Sequence, residues 1–286
     1  MRLAVSFAAA VLLGLASTAA LADQEEGAPS EEDLKAARWA FEQGNALMEE
    51  KKYAEALVKY REGLERTPEA TGLLFNGGLA ALLAGEPAAA AELFKRLKAI
   101  EPASWEVRTK LVQAFQAAGD RAARDAERAE LFEFRRSSEE EAIRDAAFYC
   151  RDQFLVGTRR VYVLEYFELE GERALRYRFS VSREGEETEP EFYISLGSYE
   201  STTAVSRELG EIGPDERMFH LDGYFEGGTS HRTYGFFKKE PDYDAVREQV
   251  LGVLSGEIRA ISGTDLAPSE KQEEKDEKAP KEGDGK

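Results

Sequence analysis

The sequence is poor in the residues that most catalysis, metal binding and covalent bracing draw on. It has one cysteine, Cys150, which excludes an intramolecular disulfide framework and a cysteine-rich zinc site. Its two histidines, His220 and His231, leave little material for imidazole acid–base chemistry. Bases are outnumbered by acids, 38 against 56, for a net charge of −18. That balance argues against nucleic acid, whose phosphates need clustered Lys and Arg, and against anionic lipid. No strand–glycine-rich loop–helix phosphate motif occurs, since Gly227-Gly228 reads as a turn. What remains is enough to fold: 286 residues with 42% hydrophobic side chains fit two domains with real cores.

The N-terminus reads as an export signal. Met1-Arg2 is a short positive start, residues 3–15 are apolar, and Ala20-Leu21-Ala22 gives a small-x-small cleavage pattern. The apolar run is too short to span a bilayer comfortably. The expectation is a signal peptide over 1–22, cut near Ala22, and a bacterial chain that is periplasmic or secreted, with no stable membrane insertion afterwards. No cysteine stands at the cut to take a lipid there. Residues 23–30 read as a flexible lead-in. Residues 267–286 are so charged and so poor in apolar groups that a disordered tail is expected.

An internal repeat follows. At a step of 34, Phe41 falls on Phe75, Gly44 on Gly78, Ala56 on Ala90, Tyr60 on Phe94 and Pro68 on Pro102. A third step is weaker: Gly85 falls on Gly119, and Leu47, Ala81 and Phe115 share one place. Apolar residues within each unit keep a helical period, and Thr67-Pro68 ends the second helix of the first unit. Each unit therefore reads as two antiparallel helices.

These residues resemble the tetratricopeptide repeat (TPR). Unit one, 37–70, matches its pattern at Ala40, Gly44, Leu47, Tyr53, Ala56, Tyr60 and Pro68. Unit two, 71–104, matches at Leu74, Gly78, Ala81, Gly85, Ala90, Phe94 and Pro102, and departs at Pro87. Unit three, 105–136, is degenerate, with Arg121, Arg124 and Arg128 where small and aromatic residues belong. That polarity fits an end unit facing solvent. The resemblance implies a superhelix whose concave face, lined by the first helix of each unit, takes a protein or peptide segment. By that resemblance the lining is Arg38, Phe41, Asn45 and Met48, then Phe75, Asn76, Leu79, Leu82 and Leu83, then Thr109, Lys110, Gln113 and Gln116. Phe41 and Glu106 stand where a carboxylate-clamping member has Lys, so a clamp is not expected. The competing reading is that Phe41, Phe75 and Leu79 only pack helix on helix.

The second half changes period. Ser138 with Glu141 suggests a capping box opening a short helix within a connecting stretch, 137–147. Segments 148–156, 160–169, 174–183, 191–197, 217–225 and 231–238 read as strands separated by glycine turns. Residues 242–255 read as a helix with a Val246, Val250, Leu251, Leu254 stripe that would cover one sheet face. Residues 200–209 are a short helix or a loop. The fold expected is multi-domain: all-α helical-hairpin repeats (31–136), then an α+β domain (148–266) with an antiparallel sheet of about six strands and a C-terminal helix. The 160–169 strand, apolar on both sides, is expected at the centre.

Alternation puts Leu175, Tyr177, Phe179 and Val181 on one face, and Arg176 and Arg178 on the other. Tyr193, His220, Asp222 and Tyr224 join that polar-aromatic face, whose chemistry suits a small ligand or a glycan. His220, Asp222 and His231 are a possible metal set, Asp222 and Glu226 a possible carboxylate pair, and Cys150 with a histidine a possible nucleophile pair. None has a specific spacing. The leading expectation is a non-enzymatic interaction protein with no cofactor, whose repeat groove grips a protein or peptide partner. The sheet would supply a second contact. The alternative is ligand binding on the polar-aromatic sheet face.

Overall fold

The computed structural model describes residues 29–171, 173–183, 185, 190–199, 217–225 and 231–263. The expected signal peptide, nearly all of the lead-in, residues 200–209, Glu226 and the charged tail lie outside them, as does the side chain of His231.

Six helices form three antiparallel pairs: α1 (Glu31–Glu49) with α2 (Tyr53–Arg66), α3 (Thr71–Leu83) with α4 (Pro87–Ile100), and α5 (Trp105–Ala118) with α6 (Arg121–Ser137). The array is TPR-like. Its close approach rests on glycine: a Cβ on Gly78 would stand 2.5 Å from the Phe94 ring, and one on Gly44 would collide with Tyr60 in the same way. The period also appears in the backbone. Lys51, Gly85 and Gly119, one step apart, all take left-handed conformations (φ 59°, 77° and 71°) in the turn between paired helices. Pro87, the departure from the repeat pattern, stands at the first turn of α4, where its missing N–H leaves no bond unmade.

The connecting helix α7 is only Glu141–Arg144, and it lacks the expected capping box. Ser138 Oγ instead accepts from Glu140 N at 3.2 Å, an i+2 bond that tightens the loop. A capping box does occur at α1, where Ser30 Oγ accepts from Asp33 N at 3.1 Å and Asp33 reaches back to Ser30 N.

The second domain is a meander in sequence order: β1 (Phe148–Val156), β2 (Arg159–Tyr166), β3 (Arg173–Arg183), β4 (Phe192–Tyr199), β5 (Met218–Phe225), β6 (His231–Phe237) and a two-residue β7 (Ser262–Gly263), all antiparallel. The strand expected at the centre, β2, is second from the edge, and β4 is the middle one. Val161 and Val163 of β2 are buried while Tyr162 and Leu164 opposite them are half-buried, so one face suffices to hold it. Helix α8 (Tyr243–Ser255) lays Tyr243, Val246 and Val250 over Val161, Val163, Tyr177, Phe179, Val181, Ile194, Leu196, Phe219 and Leu221. A bulge between Leu175 and Tyr177 breaks the expected alternation, so Ala174 rather than Leu175 is buried.

Candidate functional site

The lining residues expected from the first two units lie on α1 and α3. Phe41, Met48, Phe75, Leu79 and Leu82 are half-buried against the helical core. The Phe41 and Tyr60 ring centroids are 6.2 Å apart, and those of Phe75 and Phe94 6.1 Å apart. Each aromatic therefore packs on the helix behind it. Arg38 is exposed at the rim. Between the apolar residues lies a polar pair. Asn45 Oδ1 accepts from Tyr60 Oη at 2.7 Å and from Asn76 Nδ2 at 2.9 Å. Burial pushes the Tyr60 hydroxyl up to about 12, so it stays protonated and donating. Both amides are thus held in one orientation.

The third unit is not part of an open groove. Gln113 is 2% exposed, and its Nε2 donates to the carbonyl oxygen of Cys150 on β1 at 2.7 Å. Lys110 Nζ bonds Gln113 Oε1 at 3.3 Å. Gln116 Nε2 bonds Asp244 Oδ1 of α8 at 3.4 Å, and Thr109 is buried with its hydroxyl on Glu106 O. Unit three's share of the expected groove is filled by the protein's own edge strand and helix. The expected lining left without such partners comes from the first two units.

Two arginines of unit three, Arg124 and Arg128, turn toward the second domain, while Arg121 stays largely exposed beside Asp244. Glu165 of β2, 0% exposed, is held by Arg128 from α6. It also accepts from Arg151 Nη1 and Tyr149 Oη, each at 2.6 Å. Burial alone would raise its carboxyl; the Arg128 hydrogen bonds and the charges of Arg151 and Arg128 outweigh that and hold it at about 2. Arg124 reaches Asp244 at 3.1 Å. Around these pairs Val112, Leu131, Tyr149 and Phe167 form an apolar cluster with Trp105 and Phe132, the Phe132 and Phe167 rings 4.7 Å apart in an edge-on pair. Sequence reasoning missed this interface. The signal available was the spacing of Arg121, Arg124 and Arg128 along one side of a helix in an acidic chain.

The polar sheet face is assembled only in part. Arg178 lies over the Tyr193 ring at 5.1 Å, and Arg173 over Tyr224 at 5.4 Å. Asp222 Oδ1 accepts from Thr233 Oγ1 at 2.8 Å, and His220 Nδ1 is 3.8 Å from Asp222 Oδ2. Arg176 leaves this group at the β3 bulge, to sit 2.9 Å from Glu240 and 3.7 Å from Glu165. His220 and Asp222 are buried. Burial holds the His220 imidazole below its ordinary range, with Asp222 opposing. Arg178, Tyr193 and Tyr224 of the same face are half-buried. Among the described residues no group of three or more His, Cys, Asp and Glu is placed to hold a metal. Cys150 is half-buried, with its thiol pushed by burial up to about 11, far from the thiolate a nucleophile needs. A cleft of about 440 Å³ where α8 meets the array is lined by Gln116, Arg121, Asp242, Asp244 and Arg247. Its charges already meet one another, Arg121 Nε lying 3.0 Å from Asp244 Oδ2.

No protein-family model matches the chain, and no curated protein matches it in sequence. Solved structures match part of it. The TPR domain of Sgt2 from Aspergillus fumigatus is 23% identical, over 41% of this chain and 75% of that one, with a TM-score of 0.33. The CopN–Scc3 complex is 10% identical, over 44% and 80%, with a TM-score of 0.37. The first TPR of Spaghetti (RPAP3) bound to the HSP90 peptide SRMEEVD is 19% identical, over 37% and 83%, with a TM-score of 0.32. These are likenesses of fold alone.

Proposed function

We propose that this chain is a non-enzymatic interaction protein, exported to the periplasm or beyond, whose two-unit groove receives an extended segment of a partner protein. One observation carries the reading: Asn45 is fixed by Tyr60 and Asn76 in the middle of an apolar groove. Asn45 Oδ1 is used twice, which leaves the Asn45 amide hydrogens to donate and the Asn76 side-chain oxygen to accept. One donor beside one acceptor is what the backbone of an extended peptide pairs with, and Phe41, Met48, Phe75 and Leu79 flank them for its apolar side chains. A sequence with apolar residues and few acids fits, since the chain is itself strongly acidic. The sheet domain, docked on unit three, closes one end of the groove and sets how far the segment runs. Export rests on residues 1–22 of the sequence.

The test is capture from an envelope extract by the full chain and by two double variants. Phe41→Ala with Asn76→Ala is expected to lose the partner, and Arg178→Ala with Tyr224→Ala to keep it. The reverse outcome sinks the groove and moves attention to the sheet.

A further inference from the structure

Arginine in the sheet domain of this acidic chain is mostly met by an acid. Arg151, Arg159, Arg176, Arg183 and Arg247 all form ion pairs, and Arg173 lies 3.8 Å from Asp222. Arg178 of β3 does not follow them. Among the described residues its guanidinium makes no hydrogen bond and no ion pair, and rests only on the Tyr193 ring of β4. The side chain is half-buried, and the burial falls on one part of the fork. Its Nε is covered and has no partner, while the terminal nitrogens are left at the surface. A half-buried cation without a counter-charge costs free energy, although the chain has 56 acids to draw on.

The cross-strand neighbours of Arg178 carry no charge. Leu164 lies opposite it on β2, and Ser195 opposite it on β4. Ser180, two residues along β3, points to the same side of the sheet. Among the described residues neither serine hydroxyl has a hydrogen-bond partner. Each can therefore both donate and accept. Asp222 stands one strand further, opposite Ser195 on β5. Its Oδ1 accepts from Thr233 Oγ1 at 2.8 Å, and its Oδ2 lies 3.8 Å from Arg173 and 3.8 Å from His220. That acid is engaged away from Arg178, and its charge disfavours a second negative charge beside the fork.

We propose that Arg178, Ser180 and Ser195 form a binding site for a small hydroxy-carboxylate. The carboxylate pairs with the terminal nitrogens of Arg178, whose planar fork matches its two oxygens. A hydroxyl of the ligand pairs with the serines. The Tyr193 ring holds the guanidinium flat from below, so little freedom is lost when the acid arrives. One guanidinium with Asp222 nearby suits a single negative charge and not a phosphate dianion. The site lies on the sheet domain and needs nothing from the repeat groove, so its failure leaves the groove reading untouched.

Amide chemical-shift titration of the full chain at constant ionic strength tests this, with D-glucuronate, acetate, D-glucose and inorganic phosphate as probes. D-glucuronate is expected to move the amides around Arg178 and Ser195 saturably, with a Kd of about 1 mM. Acetate keeps only the carboxylate and is expected to bind about 3–10-fold more weakly. D-glucose keeps only the hydroxyls and is expected to move nothing. Arg178→Lys retains the charge but not the fork, and should weaken D-glucuronate by about 10-fold; Arg178→Gln should abolish binding. Ser195→Ala removes a hydroxyl with no partner in the fold, and should weaken D-glucuronate by about 3-fold while sparing acetate. The absence of saturable shifts on this face overturns the proposal. So does D-glucose or phosphate binding as tightly as D-glucuronate, acetate matching it, or binding indifferent to Arg178→Gln.

Discussion

The first two units and the third share one period but use their surfaces in opposite ways. In units one and two the small residues Gly44 and Gly78 let the paired helices close on Tyr60 and Phe94. In unit three the corresponding second helix carries Arg121, Arg124 and Arg128, and both helices are turned over to the sheet domain. A repeat that has lost its consensus has here gained an interface. Apolar closure holds the first region; a buried charge cluster centred on Glu165 holds the second. The two should fail under different stresses.

The largest difference lies at Glu165. Glu165→Gln leaves Arg128 and Arg151 buried without their counter-charge, and a loss of about 3–5 kcal/mol is expected in urea unfolding. A loss below 1 kcal/mol would mean that the cluster does not hold the domains together. Acid should find the same group. Its carboxyl titrates near 4.5 in the unfolded chain and at about 2 in the fold. The stability it provides is complete above about pH 4.5 and disappears as the pH falls toward 2. Asp152, raised by burial although Arg247 and Tyr243 oppose the shift, acts in the other direction and blunts the effect. Glu165→Gln should flatten the acid limb. In the repeat core the sign reverses. The Tyr60 hydroxyl is raised by burial to about 12, so its contribution holds at neutral pH and is lost as the pH climbs past 10. Burial also raises Tyr149, Tyr177 and Tyr243 of the sheet domain, so alkali weakens both regions. Unfolding curves at pH 3 and pH 7 for wild type and Glu165→Gln isolate the charge cluster.

Gly78→Ala comes next, at about 1–3 kcal/mol from overpacking against Phe94. The smallest effect is a gain. Lys51 holds the left-handed conformation that Gly85 and Gly119 hold without a side chain. Lys51→Gly should raise stability by about 0.5–1 kcal/mol; a loss would show that the lysine side chain has a role the turn geometry does not explain.

The array was legible because its information is local. Small residues, aromatics and turn residues recur every 34 positions, and α1 begins and ends where the apolar period does, over Glu31–Glu49. The strands were legible because alternation and glycine mark each one, and β1 runs over the expected 148–156. Three things left no local mark. The Arg128–Glu165 pair spans 37 residues, and in a chain with 56 acids no arginine announces its partner. The β3 bulge moves Arg176 away from Arg178 without any change of composition. Gln113 reads as a groove residue until the β1 edge is placed on it. In each case the tertiary neighbour decides the role of the side chain.

The most direct test of a two-unit groove is site-specific photo-crosslinking in the exporting cell, with the probe at Leu79, Gln113 or Tyr193 of the full chain. A groove confined to the first two units predicts adducts with a partner protein from Leu79. It predicts none from Gln113, whose position is occupied by β1. Adducts from Tyr193 with none from Leu79 would contradict it.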